Sequence, residues 1–154
     1  MNIIQNKGIA TLPTIIIIGM MALAVVVSIT SMTLNELSIS QGQAESSTAL
    51  FYAEAGARDA LIKIARNKNY NCNTPDCYSL DFVSNGCINN NGCAQISVSS
   101  GIGTTTDPKI ITSKGIMKSS LRRMQVSVIL DGGTSIPSNQ NGEITSTIWN
   151  ELTN

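Results

Sequence analysis

Four cysteines, Cys72, Cys77, Cys87 and Cys93, are the residues best equipped for covalent chemistry, and all lie within "NCNTPDCYSLDFVSNGCINNNGC". Thiols at this density either oxidise in pairs or ligate zinc as thiolates. The spacers hold four, nine and five residues, without the paired C-x-x-C knuckles usual at structural zinc sites. An even count in a turn-rich segment reads instead as two disulfides. Asn-Gly precedes both Cys87 and Cys93, which doubles the turn signal. Three connectivities are open. The short, turn-forming spacers favour Cys72–Cys77 with Cys87–Cys93, each staple contributing about 2 kcal/mol at such spans.

Nothing else in the chain forms a reactive set. There is no histidine, so the commonest general base and the commonest metal ligand are missing. Neither a phosphate-cradling glycine loop nor a nucleophile elbow occurs. We therefore expect no catalytic residue, no metal and no cofactor, and reject an enzyme. Lys109, Lys114, Lys118, Arg122 and Arg123 form a basic stretch with no acid between Asp107 and Asp131. Phosphate contact, with DNA for example, is one use for it. A solvated, basic sheet face that deters edge-to-edge aggregation is the preferred reading. Ten basic and ten acidic side chains cancel, so the whole chain has no net field to draw nucleic acid or an anionic surface.

The elements that must position these groups come from 154 residues, room for one small domain and an anchor. Charged residues are only 13% of the chain, and the apolarity that replaces them is concentrated in the first third. From Ile9 to Met32, 24 residues carry no charge. As a helix they would span about 36 Å, enough for the ~30 Å hydrocarbon core of a bilayer. Lys7 and the Ala22-Leu23-Ala24 pattern match a secretory signal, yet the apolar run continues past that cleavage point through Val25, Val26, Val27 and Ile29.

Further on, Leu50, Ala53, Ala57, Ala60, Leu61, Ile64 and Ala65 share one face at helical periodicity. Glu54, Arg58, Lys63 and Arg66 lie largely off that stripe. The helix thus begins lipid-facing, turns amphipathic and stops near Asn67. Gly42 and Gly56 each cost it about 1 kcal/mol against alanine, and Gly42 is a soft point. Beyond the cysteines, Ala94, Ile96 and Val98 alternate with Gln95, Ser97 and Ser99. Strands are expected over roughly 109–117 and 121–130, the second with Met124, Val126, Val128 and Leu130 on one face. A last short strand covers Glu143 to Trp149, with Trp149, the sole tryptophan, pinning it to the core. Together these predict an α+β fold, an antiparallel meander packed on the amphipathic half of the helix.

The leader "MNIIQNKG" followed at once by an apolar helix resembles the class III signal of type IV pilins and type II secretion pseudopilins. The "FYAEAGARDALIKIAR" helix and the "IITSKGIMKSSLRRMQVSV" hairpin are similar to those of PilX-type minor pilins. The order of these features is the stronger signal, since each alone is weak. The resemblance implies a pilin-like fold: leader 1–8, transmembrane and filament-core helix 9–33, amphipathic helix 34–67, cysteine-containing loop region 68–93 and sheet 94–154. It also implies cleavage by a prepilin peptidase between Gly8 and Ile9, with methylation of the new amine. The helix would first anchor the chain in the inner (cytoplasmic) membrane, single-pass with the sheet domain extracytoplasmic, and then pack among other pilin subunits in an extracellular filament.

One position departs from the pattern. Major pilins carry glutamate at the fifth mature position, and this chain has Pro13 there. Proline is tolerated in a first helical turn, where few donors have partners to lose. Ile9 to Leu12 would be loosely ordered, with Thr11 as a cap near the start of the regular helix. Loss of the glutamate implies a minor pilin or pseudopilin in an initiating or tip position. The alternative is a single-pass, membrane-anchored extracytoplasmic binding module that never polymerises. A third, a secreted disulfide domain, requires cleavage after Ala24.

Overall fold

A computed structural model describes residues 11–131 and 142–152. One helix, α1 (Thr11–Arg66), precedes five strands: β1 (Tyr78–Asp81), β2 (Asn91–Val98), β3 (Lys109–Met117), β4 (Ser120–Leu130) and β5 (Ile144–Leu152). The strands form one antiparallel sheet in the order β1-β2-β3-β4-β5, a meander. The architecture is α+β, with the helix packed on the sheet, and is consistent with a pilin-like fold. Contacts divide the chain into two units, up to Gln41 and from Gly42 onward.

In the first unit every described side chain from residue 12 on is exposed, including Ile15, Met21, Val27 and Leu37. Pro13 falls within the first turn of α1, where its missing donor costs no helical hydrogen bond. The range of α1 includes Gly42, the expected soft point, which is also where the second unit begins.

In the second unit the helix turns one face to the sheet. Ala49, Ala53, Ala57, Ala60 and Ile64 are fully buried on it. Ala57, Ala60 and Ile64 cluster with Ala94, Ile96 and Val98 of β2, Ile111 of β3, and Val126, Val128 and Leu130 of β4. With so few aromatics, the core rests on branched aliphatics, each contributing about 1.5–3 kcal/mol when fully buried. Alanines on the helix keep the two layers close, and two glycines bring them closer. A Cβ on Gly56 would fall 2.6 Å from Ser113 Oγ and 2.9 Å from Ala94 Cβ. The helix-weakening glycine of the sequence is therefore the point at which β2 and β3 press against α1. Gly115 does the same from the sheet side, where a Cβ would lie 1.9 Å from Ala49 O.

The strands over 109–117 and 121–130 lie as expected, β4 beginning one residue earlier. The last strand is longer than expected, reaching Leu152. The region 68–93 is not simply a loop: it contains β1 and the first residues of β2. Tyr78 to Asp81 pair with Ile96 to Cys93, a four-residue strand too short to show alternation between turn-forming neighbours. Val126 of β4 faces Trp149 of β5. The indole packs against the core cluster and donates from Nε1 to Thr147 Oγ1 at 3.3 Å, with the Arg58 guanidinium 5.7 Å from its centroid.

Candidate functional site

Two features of the chain can act on something outside it: the uncovered apolar part of α1, and the cysteine-pinned end of the sheet. Among the described residues, one helix is long and apolar enough to cross a membrane. Its polar groups are settled locally. Ser28 donates to Ala24 O at 2.8 Å, Thr30 to Val26 O at 2.8 Å, Ser31 to Ser28 O at 2.9 Å and Thr33 to Ile29 O at 3.0 Å. With these hydroxyls returned to the helix's own carbonyls, the uncharged surface from Leu12 to Thr33 meets little polar penalty on transfer into hydrocarbon. The first charge after it is Glu36. The processing residues Gly8 and Ile9, with the rest of the leader, lie outside the described residues.

Cys72 is bonded to Cys77 and Cys87 to Cys93. All four sulfurs are consumed, so Asp81, which lies beside Cys87 and Cys93, has no thiolate with which to share a metal. Its Oδ1 accepts the Cys87 N–H at 2.7 Å instead. The Cys87–Cys93 ring closes the β1–β2 connection, in which Asn85 and Asn90 take φ of 55° and 52°. Asparagine tolerates that left-handed conformation better than most residues. Phe82 leaves this connection to stack on Tyr52 of α1, ring centroids 4.4 Å apart. The Cys72–Cys77 ring is tied to the end of β2, because Cys72 exchanges both backbone hydrogen bonds with Val98, at 2.8 and 2.9 Å.

Tyr78 is a residue that composition alone could not single out. It lies under Lys63 Nζ, 3.3 Å from the ring centroid, and Lys63 is ion-paired with Asp59 at 2.9 Å. Burial, and then the Asp59 carboxylate, push the Tyr78 phenol far above its ordinary value, so it stays protonated throughout the physiological range. This cluster fastens β1 to α1 beside the first disulfide.

The basic stretch is a solvated face in part, with Lys118 and Arg123 exposed, but Lys109 is buried and most of the cations are ion-paired. Lys109 is 2% exposed, its stem on the inward side of β3. Lys118 reaches Glu45 at 2.9 Å, Arg122 reaches Ser46 at 2.8 Å and Glu151 at 3.0 Å, and Lys114 lies 3.7 Å from Asp76. The acids come from the helix, the first disulfide ring and β5, all distant in sequence. Only Arg123 is an exposed cation of this stretch without an acidic partner among the described residues.

Burial lowers the Lys109 pKa, with Asp107 opposing the shift. The unfolded chain then binds more protons than the folded one between that lowered value and 10.5. Stability therefore rises with pH across the window, and below the lowered pKa the cost of the buried charge is present in full. Lys109→Met is expected to raise the melting temperature at pH 7 by roughly 4 °C, about 1 kcal/mol for a domain of this size. The gain should shrink toward pH 10. Thermal melts of both proteins across that range check it, and a lower melting temperature for the variant at pH 7 refutes it.

Comparison of the chain with protein-family models, curated proteins and solved structures returns no match.

Proposed function

We propose that this chain is a subunit of a type IV pilus-like filament, a minor pilin or pseudopilin made first as a single-pass membrane protein. One observation carries the reading: the uncovered, uncharged surface of α1 from Leu12 to Thr33, with the hydroxyls of Ser28, Thr30, Ser31 and Thr33 bonded back to the helix. A rod of that kind requires lipid or other apolar helices around it. Gly19, Ala22, Ala24, Ser28 and Ser31 supply small side chains where a neighbouring helix can come close.

The mechanism is an exchange of covers. Lipid surrounds the helix first, and the corresponding helices of neighbouring subunits surround it after assembly. A prepilin peptidase cuts between Gly8 and Ile9, and the apolar helix remains attached to the sheet domain. Pro13 offers no carboxylate to a neighbour's amine, so recruitment depends on apolar and sheet-domain contacts, which suits an initiating or tip subunit. The role is structural rather than enzymatic.

The N-terminal mass of the protein isolated from its native membrane or filament fraction tests this reading. A chain beginning at methylated Ile9 is expected. A chain beginning at Val25, or retaining Met1, overturns it.

A further inference from the structure

The sheet face opposite the buried core holds a hollow of about 240 Å³. Its floor is a single row across four strands. Gln95 faces Lys114, Lys114 faces Arg123, and Arg123 faces Leu152. A second rung, Ser97 facing Thr112, adds two hydroxyls. The Cys72–Cys77 ring forms the wall, bringing Pro75 and Asp76 over the row.

Three observations indicate a ligand. Lys114 and Arg123 stand directly opposite each other, an arrangement of like charges that destabilises a strand pair. Asp76 lies 3.7 Å from Lys114, which leaves Arg123 with no acid among the described residues. The Gln95 Oε1 is buried and has no hydrogen-bond partner among them, although buried acceptors are nearly always satisfied. The hollow therefore lacks one anionic group over Arg123, and the Gln95 amide, its Oε1 closed off in this conformation, must turn toward the hollow to meet a donor there.

We propose that this hollow binds one carboxylate-bearing sugar, of the uronic acid class. Its carboxylate lies against the Arg123 guanidinium, the natural fork for such a group. Ring hydroxyls donate to Gln95 Oε1 and exchange hydrogen bonds with Ser97 and Thr112. The apolar face of the ring rests between Pro75 and Leu152. The volume is below the ~300–1,000 Å³ of a drug-sized site and suits one sugar ring. A phosphodiester chain fits poorly, because it needs a run of free cations and would meet the Asp76 carboxylate at the rim. The proposal stands apart from the filament reading and does not depend on it.

The test is calorimetric titration of the full chain, in a sugar-free non-ionic detergent, with sodium glucuronate, glucose, acetate and duplex DNA. Glucuronate should bind with a Kd in the millimolar range or below, with glucose and acetate each about tenfold weaker or worse. Added salt should weaken glucuronate binding. Arg123→Gln should cost about tenfold, and Gln95→Leu a similar factor, with melting temperatures near that of the parent because neither side chain belongs to the core. Absence of glucuronate binding, equal binding of acetate or glucose, preference for DNA, or unchanged affinity in the Arg123→Gln protein would each overturn the proposal.

Discussion

Replacing Gly115 with valine is expected to cost more than about 3 kcal/mol, a large share of the 5–15 kcal/mol that holds a typical domain together. The reason is local and geometric. The first atom of any side chain at this position would lie 1.9 Å from Ala49 O and 2.5 Å from Ala53 N. Both are backbone atoms of α1, so no rotamer change relieves the clash. Helix and sheet must separate by more than an ångström to restore van der Waals contact. Separation would open voids around Ala53, Ala57 and Ile96, and the close packing of the layer interface would be lost with them.

Gly42→Ala is the control. A Cβ there meets nothing within 4 Å, and a helical glycine replaced by alanine gains up to about 1 kcal/mol. Denaturant unfolding of the two variants should move in opposite directions. A Gly115→Val protein with the parent's midpoint would refute this account of the interface.

The second large effect concerns the two disulfides, which differ in access. Cys93 is fully buried and Cys87 partly so, whereas Cys77 is exposed and Cys72 only partly buried. Exchange requires a thiolate to reach a sulfur. Graded reductant followed by alkylation and mass measurement should therefore open Cys72–Cys77 first and Cys87–Cys93 second. Breaking the second bond should be the more damaging, because the turn it closes carries Phe82 onto Tyr52. The Cys87→Ser, Cys93→Ser double variant should lose about 2 kcal/mol by the loop-closure argument alone. Its Phe82–Tyr52 stacking should loosen as well, which near-ultraviolet circular dichroism reads through Tyr52. Simultaneous opening of both bonds at one reductant concentration would refute the difference in access.

Much of this architecture was legible in the residue pattern, for identifiable reasons. The stripe from Leu50 to Ile64 repeats with helical period, and Ala94, Ile96 and Val98 with strand period, so burial on one face was readable in both. The strand at Tyr78–Asp81 was not, because four residues enclosed by turn-forming asparagines and cysteines carry too little alternation. Gly115 and Gly56 read as weaknesses within their own elements, and only the approach of the other layer reveals their use. The basic stretch misled in part, for a related reason. Sequence places no acid near Lys114, Lys118 or Arg122, whereas the fold brings Asp76, Glu45 and Glu151 to them. Lys109 falls on the inward phase of β3, and its charge obscured that phase. The hollow over Gln95 and Arg123 depends on register across four strands, which no linear pattern discloses.

Both cystines are short-range, joining residues five and six apart. Under tension along the polypeptide they withhold only roughly 30 Å of contour from extension. Neither crosses from α1 to the sheet, and neither reaches β5. A pull on the end of β5 is therefore resisted by its ladder with β4 and by the Trp149 contact, with no covalent stop behind them. Resistance of this sheet to such a pull rests on β-sheet hydrogen bonds and packing, which can re-form once the load is removed, while the cystine rings would travel as intact knots on the extending chain.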